Sequence, residues 1–194
     1  SVNIFSIDDF QLNDSSPLTL INLATLYNPN PISSNQLLAL IDSNIIFPSQ
    51  LIEKFKDSID FSVISTQSYL QLLPLTSQNQ YSLSKEILKK NLEQNVFNNT
   101  NLYLFDSFGE GDTRNKVVDV FIKKILKGQP LTIPSNDVEI NLSYAEDICT
   151  SIIQSINYDP GEYSIMSPNT LSLEDLAKTL MNIMNLDVEI IKKG

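Results

Sequence analysis

A chain of 194 residues, 42% of them hydrophobic, is long enough to bury a real core as one globular domain. Its 23 acidic residues outnumber 13 Lys and Arg, and the net charge of −10 argues against nucleic acid or an anionic membrane as a partner, since both need a basic surface. The absence of His removes Ser-His-Asp triads and His-based metal sites, so no metal is expected.

Val2–Ile7 and Leu18–Ala24 are short apolar runs bounded by turn residues and are predicted as strands, with the polar, turn-like Asp8–Pro17 between them. Pro29-Asn30-Pro31 opens a loop. Ser33 or Ser34 then caps a helix running to about Lys56, with Leu37, Leu40, Ile41, Asn44 and Ile45 on one face and Pro48 bending or restarting it. Phe61–Ser65 reads as a buried strand. A loop follows to Asn79, then a helix from about Tyr81 to Val96 that turns Ile87, Leu88, Leu92 and Val96 inward. Leu102–Phe105 is the next strand, and helix Lys116–Leu126 stops at Gly128, with Pro130 beyond. Tyr144–Ile156 is helical, and Cys149 within it reads as a reduced, buried core thiol with no internal disulfide partner. Tyr163–Met166 is extended, Ser172 caps a last helix carrying Leu173, Leu176, Leu180 and Ile183, and Val188–Ile191 is a final short strand. Lys85, Lys89 and Lys90, like Lys123, Lys124 and Lys127, sit at helical spacing and read as solvated faces. Such alternation implies parallel strands joined by right-handed crossovers, hence an α/β, Rossmann-like sheet covered by helices on both faces. No segment approaches the roughly 18 apolar residues of a membrane span, and no signal-peptide pattern opens the chain, which fits a cytoplasmic protein.

The chemistry centres on Tyr81-Ser82-Leu83-Ser84-Lys85. A Tyr and a Lys four apart on a helix share a face, one turn apart. An ammonium beside a phenol favours the phenolate, which suits the Tyr to general acid/base work on a hydroxyl or carbonyl. Ser65 and Thr66, just upstream, offer a hydroxyl to hold the same oxygen. The bland alternative makes Tyr81 a half-buried helix start, Lys85 a solvated lysine, and Ser65 and Thr66 strand-end hydroxyls that satisfy backbone groups.

Leu20-Ile21-Asn22-Leu23-Ala24-Thr25, Asn44 in DSNIIFPSQLIE, FSVISTQSY, QYSLSKEILKKNL, LYLFDSFGEGDTRNKVVDVFIKKILKGQPLTI, INLSYAEDICTSII and GEYSIMSPNTLSLEDLAKTL follow one another in an order and spacing that resemble the extended short-chain dehydrogenases/reductases. The nearest resemblance is to the NAD-dependent epimerase/dehydratase family, in its sugar-nucleotide branch with the CDP-abequose and CDP-paratose synthases. The resemblance implies Tyr81 as acid/base, Lys85 tuning it and orienting the nicotinamide ribose, and Thr66, or Ser65 if Tyr69 sets the alignment, holding the substrate oxygen. It implies Leu23, Ala24, Asn44 and Lys85 beside NAD or NADP, and Asp106, Arg114 and Lys116 beside a nucleotide sugar. A homodimer built from helices 34–56 and 81–96 is also implied.

The chain departs from the family in ways that carry their own expectations. No Gly precedes Gly109, whereas a dinucleotide cradle needs a Gly-rich turn between its first strand and helix. The sheet is therefore expected to be incomplete on its N-terminal side, with residues 1–128 forming a truncated Rossmann core and 129–194 a partial substrate lobe mixed with core elements. Asn22 replaces the family's usual His, and the stretch from Thr66 to Tyr81 is short. The chain is then a fragment of a longer enzyme or a reduced relative, and tight binding of a dinucleotide by these residues alone is not expected. Two functions follow: a sugar-nucleotide epimerase, dehydratase or reductase, or a degenerate relative kept for binding or assembly.

Overall fold

In a computed structural model that describes residues 16–96, 98–112 and 114–194, the Leu18–Ala24 run becomes β1 (Thr19–Asn22). The expected strand Val2–Ile7 and the stretch up to Ser15 lie outside the described residues. Ser33 caps α1 (Ser34–Ile41), its hydroxyl accepting from the Gln36 N–H. The helix does not stop there. Asp42–Ile46 winds as a π-helix, and α2 (Phe47–Phe55) follows with Pro48 in its first turn, where a missing N–H is tolerated. The buried residues are Leu40, Asn44, Pro48, Ile52 and Phe55. Repeated spacings of four drift around an ideal α-helix of 3.6 residues per turn, and the wider π turn absorbs that drift. Leu37, expected on this face, is exposed.

β2 (Ser62–Ser68) pairs in parallel with β1, Asn22 opposite Ser65, and with β3 (Asn98–Leu104), Ser65 opposite Asn101. Between β2 and β3 come two short 3₁₀ turns and then α3 (Gln80–Asn95), capped by Asn79. The Asn79 side chain accepts from the Ser82 N–H while Ser82 Oγ accepts from the Asn79 N–H. One core gathers Ile52 and Phe55 of α2, Phe61, Val63 of β2, and Leu88, Leu92 and Val96 of and just after α3. Both helical crossovers therefore cover the same face of β2. Two expectations for α3 change. Ile87 is 54% exposed rather than inward, and Lys85 and Lys89 are buried rather than solvated. Burying Lys89 is tolerable because its Nζ meets Glu162 at 2.7 Å and Glu93 at 3.3 Å. Burial opposes its charge, yet the hydrogen bonds to Glu162 and Tyr103 hold its pKa above the ordinary value.

The remaining elements are β4 (Asp106–Phe108), α4 (Val117–Leu126), β5 (Leu131–Pro134), β6 (Glu139–Ile140), β7 (Leu142–Tyr144), α5 (Ala145–Gln154), β8 (Gly161–Ile165), β9 (Leu171–Ser172), α6 (Leu173–Met184) and β10 (Ile190–Lys193). β8 joins the sheet beside β3, in the order β1-β2-β3-β8. The other strands form three ribbons: β4 with β7 and β5 with β10, both parallel, and β6 antiparallel with β9. A second core joins Phe121 and Ile125 of α4, Leu131 and Ile133 of β5, and Leu176 and Ala177 of α6. Gly128 follows α4 at φ +64°, and Ser172 caps α6 by accepting from the Asp175 N–H. Ile183, expected inward on α6, is 73% exposed. Cys149 is exposed too, against the buried thiol expected, because α5 buries Ile148 and Ile152 and position 149 points off that line.

The chain forms two compact units. One runs to Leu104 and resumes at Ile152–Ser164; the other comprises Phe105–Ser151 and Ile165–Gly194. The parallel sheet with its two helical crossovers belongs to the first unit and the ribbons to the second.

Candidate active site

In the first unit, strand alternation sorts the β2 side chains. Val63 packs with Leu88 and Leu92 of α3, so Ser65 and Gln67 share the face that α3 covers, and Thr66 leaves the opposite face. Ser65 is fully enclosed, and its Oγ accepts from Asn22 Nδ2 at 3.5 Å and Gln67 Nε2 at 3.2 Å. Thr66 is 7% exposed and donates to the Asn22 carbonyl at 3.4 Å. The two candidate hydroxyls, both buried, lie on opposite faces of β2, Ser65 on the side that α3 covers and Thr66 on the other.

Tyr81 and Lys85 stand one turn apart in the first half of α3, as their spacing predicts. Tyr81 is half-buried. Its ring meets Tyr27 edge-on at 5.0 Å between centroids, and its hydroxyl accepts from Thr25 Oγ1 at 3.5 Å. Lys85 is 1% exposed, so the solvated alternative is excluded. Its Nζ donates to the Ala24 carbonyl at 3.3 Å, and burial pulls its pKa from 10.5 to about 8. A lysine so held exchanges its proton near neutral pH. The segment after β1 is therefore wrapped against α3, bringing Ala24, Thr25 and Tyr27 to the Tyr81–Lys85 pair.

Asn44 explains how that segment is held. The π turn presents it inward, fully buried, where Oδ1 accepts from the Leu26 N–H at 2.6 Å and Nδ2 donates to the Leu26 carbonyl at 3.2 Å and Ser84 Oγ at 2.9 Å. Ser84 Oγ in turn donates to the Tyr81 carbonyl at 2.7 Å. Asn44, expected beside a cofactor, spends its amide on the protein itself.

In the second unit, Asp106, Arg114 and Lys116 lie close together. Lys116 Nζ reaches Asp106 at 3.4 Å. Arg114 holds Asp112 through Nε at 2.8 Å and Nη2 at 2.7 Å, and also donates to Ser107 Oγ at 3.1 Å. The guanidinium keeps the Asp112 carboxyl at a pKa of about 2. Both expected anion ligands therefore already face carboxylates. Gly109 sits in the same turn, so near Ala145 that an added Cβ would come within 2.8 Å of the Ala145 Cβ.

The sequence reading missed a row of buried amides under α3: Asn22, Gln67 and Asn101, with Asn99 half-buried beside them. A signal existed. Polar residues recur at alternate positions 65 and 67 of β2 and 99 and 101 of β3, the strand period applied to the wrong polarity.

Among the described residues no cluster of His, Cys, Asp and Glu could hold a metal, and no helix is long and apolar enough to cross a membrane. No family model matches the sequence. The CDP-abequose synthase of Yersinia pseudotuberculosis is 28% identical over 177 residues, which cover 85% of this chain and 62% of that protein. The chain thus spans about three-fifths of its relative's length. Among solved structures, the Bordetella bronchiseptica enzyme WbmF in complex with NADH superposes with a TM-score of 0.77 at 22% identity, over 94% of this chain and 61% of that one. The Thermotoga maritima UDP-glucose 4-epimerase with UDP-glucose gives 0.74 at 19% identity, over 90% of this chain and 63% of its own. The fold is Rossmann-like, as expected.

Proposed function

We propose that this chain is a member of the NAD-dependent epimerase/dehydratase family of short-chain dehydrogenases/reductases and carries the acid/base centre of an NAD(P)-dependent enzyme acting on a nucleotide sugar, in the supply of sugars for a surface polysaccharide, a reading supported by its likeness to the CDP-abequose synthase. One observation carries the reading: a buried lysine with a lowered pKa, one helical turn from a tyrosine whose hydroxyl remains within reach of the surface. A degenerate binding module has no need to bury a charge there, and that alternative is not favoured.

The residues present fit a nicotinamide ribose. Lys85 has three N–H donors, one of them directed at the Ala24 carbonyl, and Leu23 beside Ala24 is 54% exposed, an apolar side chain available to a flat ring. NAD(P), when bound, supplies the hydride acceptor and donor. Tyr81 Oη takes the proton of a sugar hydroxyl as that carbon is oxidised and returns it on reduction. Lys85, charged, favours the phenolate and would donate to a ribose hydroxyl of the cofactor. Thr66 would turn its hydroxyl from the Asn22 carbonyl to the sugar oxygen; Ser65, sealed and already accepting two amide N–H groups, maintains the sheet instead. Asp106, Arg114 and Lys116 are the second unit's candidates for the nucleotide diphosphate, the cations exchanging a carboxylate partner for phosphate.

The test is turnover of CDP- and UDP-hexoses in the full reading frame that contains these residues. Tyr81→Phe and Thr66→Val should each lower kcat at least about 10²-fold, while Ser65→Ala lowers stability more than kcat. Wild-type turnover in Tyr81→Phe sinks the reading.

The same reading places the protein in the cytoplasm, where sugar nucleotides are made, as an isologous homodimer. Leu38 at 62%, Ile46 at 43% and Ile87 at 54% exposure leave apolar residues on the outer faces of the two helical crossovers. A monomer in sedimentation at tens of micromolar would count against the dimer.

A further inference from the structure

Five side chains form a continuous line of hydrogen bonds across three strands of the first unit. Asn101 Nδ2 donates to Asn99 Oδ1 at 3.1 Å, Gln67 Nε2 donates to Asn101 Oδ1 at 2.8 Å and to Ser65 Oγ at 3.2 Å, and Asn22 Nδ2 donates to Ser65 Oγ at 3.5 Å. The line ends on backbone: the Ala24 N–H donates to Asn22 Oδ1 at 3.2 Å, and the Ala24 carbonyl accepts from Lys85 Nζ at 3.3 Å. We infer that this amide ladder, with Gln67 as its central node, is a positioning device for Lys85: it anchors the peptide unit immediately before the one whose carbonyl holds the ammonium. The inference rests on the reading of Lys85 as the group that tunes Tyr81.

Three observations carry it. The ladder occupies the face of β2 that α3 covers, ground where apolar side chains would pack without any demand on geometry. A merely structural polar layer would close on itself, yet this one leaves Gln67 Oε1 buried with no partner among the described residues and runs on to Ala24. Finally, residues 23–27 form no strand and, Ala24 apart, are exposed, so the segment has little packing of its own. Two amides anchor its backbone. Asn22 takes the N–H of Ala24 and Asn44 takes both polar groups of Leu26, so the peptide facing Lys85 is fixed from both sides.

The electrostatic surroundings leave this carbonyl a large role. β1, β2, β3 and residues 23–27 bear no Asp, Glu, Lys or Arg; their titratable groups are the phenols of Tyr27 and Tyr103, with Tyr81 beside them on α3. Asp42, on the π turn, is exposed. On α3 itself Lys89 is paired with Glu93 and Glu162, Glu86 lies 3.7 Å from Lys90, and Lys90 meets Glu93. If the ladder is cut, the Ala24 segment loosens, water reaches Nζ, and the charged form gains solvation. The Lys85 titration then rises.

The experiment follows the Lys85 ε-carbon signal by NMR against pH, together with hydrogen exchange of the Ala24 amide, in the 194-residue chain. In Gln67→Met we expect the midpoint to move from about 8 toward the ordinary lysine value of about 10.4, and Ala24 to exchange at least about tenfold faster. Ile52→Val, which trims the same core from α2, should leave both unchanged even as it lowers the unfolding midpoint. A Gln67→Met protein with wild-type titration and exchange overturns the inference. Should that variant fail to fold, Asn101→Ser cuts the next rung and is read in the same way. The wild type is decisive besides: the side-chain amide protons of Gln67 and Asn101 must exchange as slowly as the Ala24 N–H, and rapid exchange refutes the ladder. None of these readouts needs turnover, so their outcome is separable from that of the proposed enzyme.

Discussion

Replacing Lys85 with Met removes a buried charge while keeping most of the side chain's volume. Lys85 holds its proton with a pKa of about 8 instead of 10.5 because burial disfavours the ammonium. At about 1.4 kcal/mol for each tenfold change, that burial costs the folded state roughly 3 kcal/mol at neutral pH. The sign follows from proton uptake. Between pH 8 and 10.5 the unfolded chain binds the extra proton, so wild-type stability rises with pH across that window; below pH 8 both states are protonated and the full cost is present. The linkage gives a wild-type gain of about 2 kcal/mol between pH 7 and 9.5 from this residue alone. Lys85→Met forfeits the bond to the Ala24 carbonyl, worth about 1 kcal/mol, so a net gain of roughly 1–2 kcal/mol is expected at pH 7, disappearing by pH 9.5. Urea unfolding read on resolved NMR signals of the first unit, at both pH values, gives the comparison. Parallel pH dependences in the two proteins, or a marked loss of stability in Lys85→Met at pH 7, would show that Lys85 is not a strained charge.

Asn44→Ala strips three hydrogen bonds and leaves the Leu26 and Ser84 groups without them, so the first unit should lose about 2–4 kcal/mol in urea unfolding, with the Leu26 amide exchanging faster than in the wild type. Gly109→Ala drives a methyl against the Ala145 Cβ at 2.8 Å; both atoms are fixed to backbone, so a loss of about 1–3 kcal/mol is expected, confined to NMR signals of the second unit.

Much of this fold can be read from residues whose signals are local. Ser33 and Ser172 announce helix starts, Gly128 announces a stop, and the Tyr81–Lys85 spacing requires a shared helix face whatever packs around it. Lys85 and Lys89 defeat the same kind of reading. In α3 they share the inward face with Leu88 and Leu92, a place no hydrophobic pattern gives to lysine, and what allows it lies far off in sequence: the Ala24 carbonyl for one, Glu162 for the other. The sheet-facing amides follow the same logic, since Gln67 becomes a satisfactory interior residue only when Asn101 is known to stand on the next strand. Two-residue strands such as β6 and β9 are too short to show any period at all. Ile87 and Ile183 went to the wrong side because an apolar residue on a helix is assigned inward by default, though exposed apolar side chains are common.

The central claim is that Tyr81, Lys85 and the Leu23–Tyr27 segment form the nicotinamide end of an NAD(P) site, and an NMR titration of the 194-residue chain with NAD tests it most directly. We expect shifts confined to Leu23–Tyr27, Tyr81 and Lys85, saturating with a Kd on the order of millimolar, since isolated polar contacts offset little of the cost of association. Shifts that spare Lys85 and its neighbours, or micromolar affinity with shifts elsewhere in the chain, would contradict the claim.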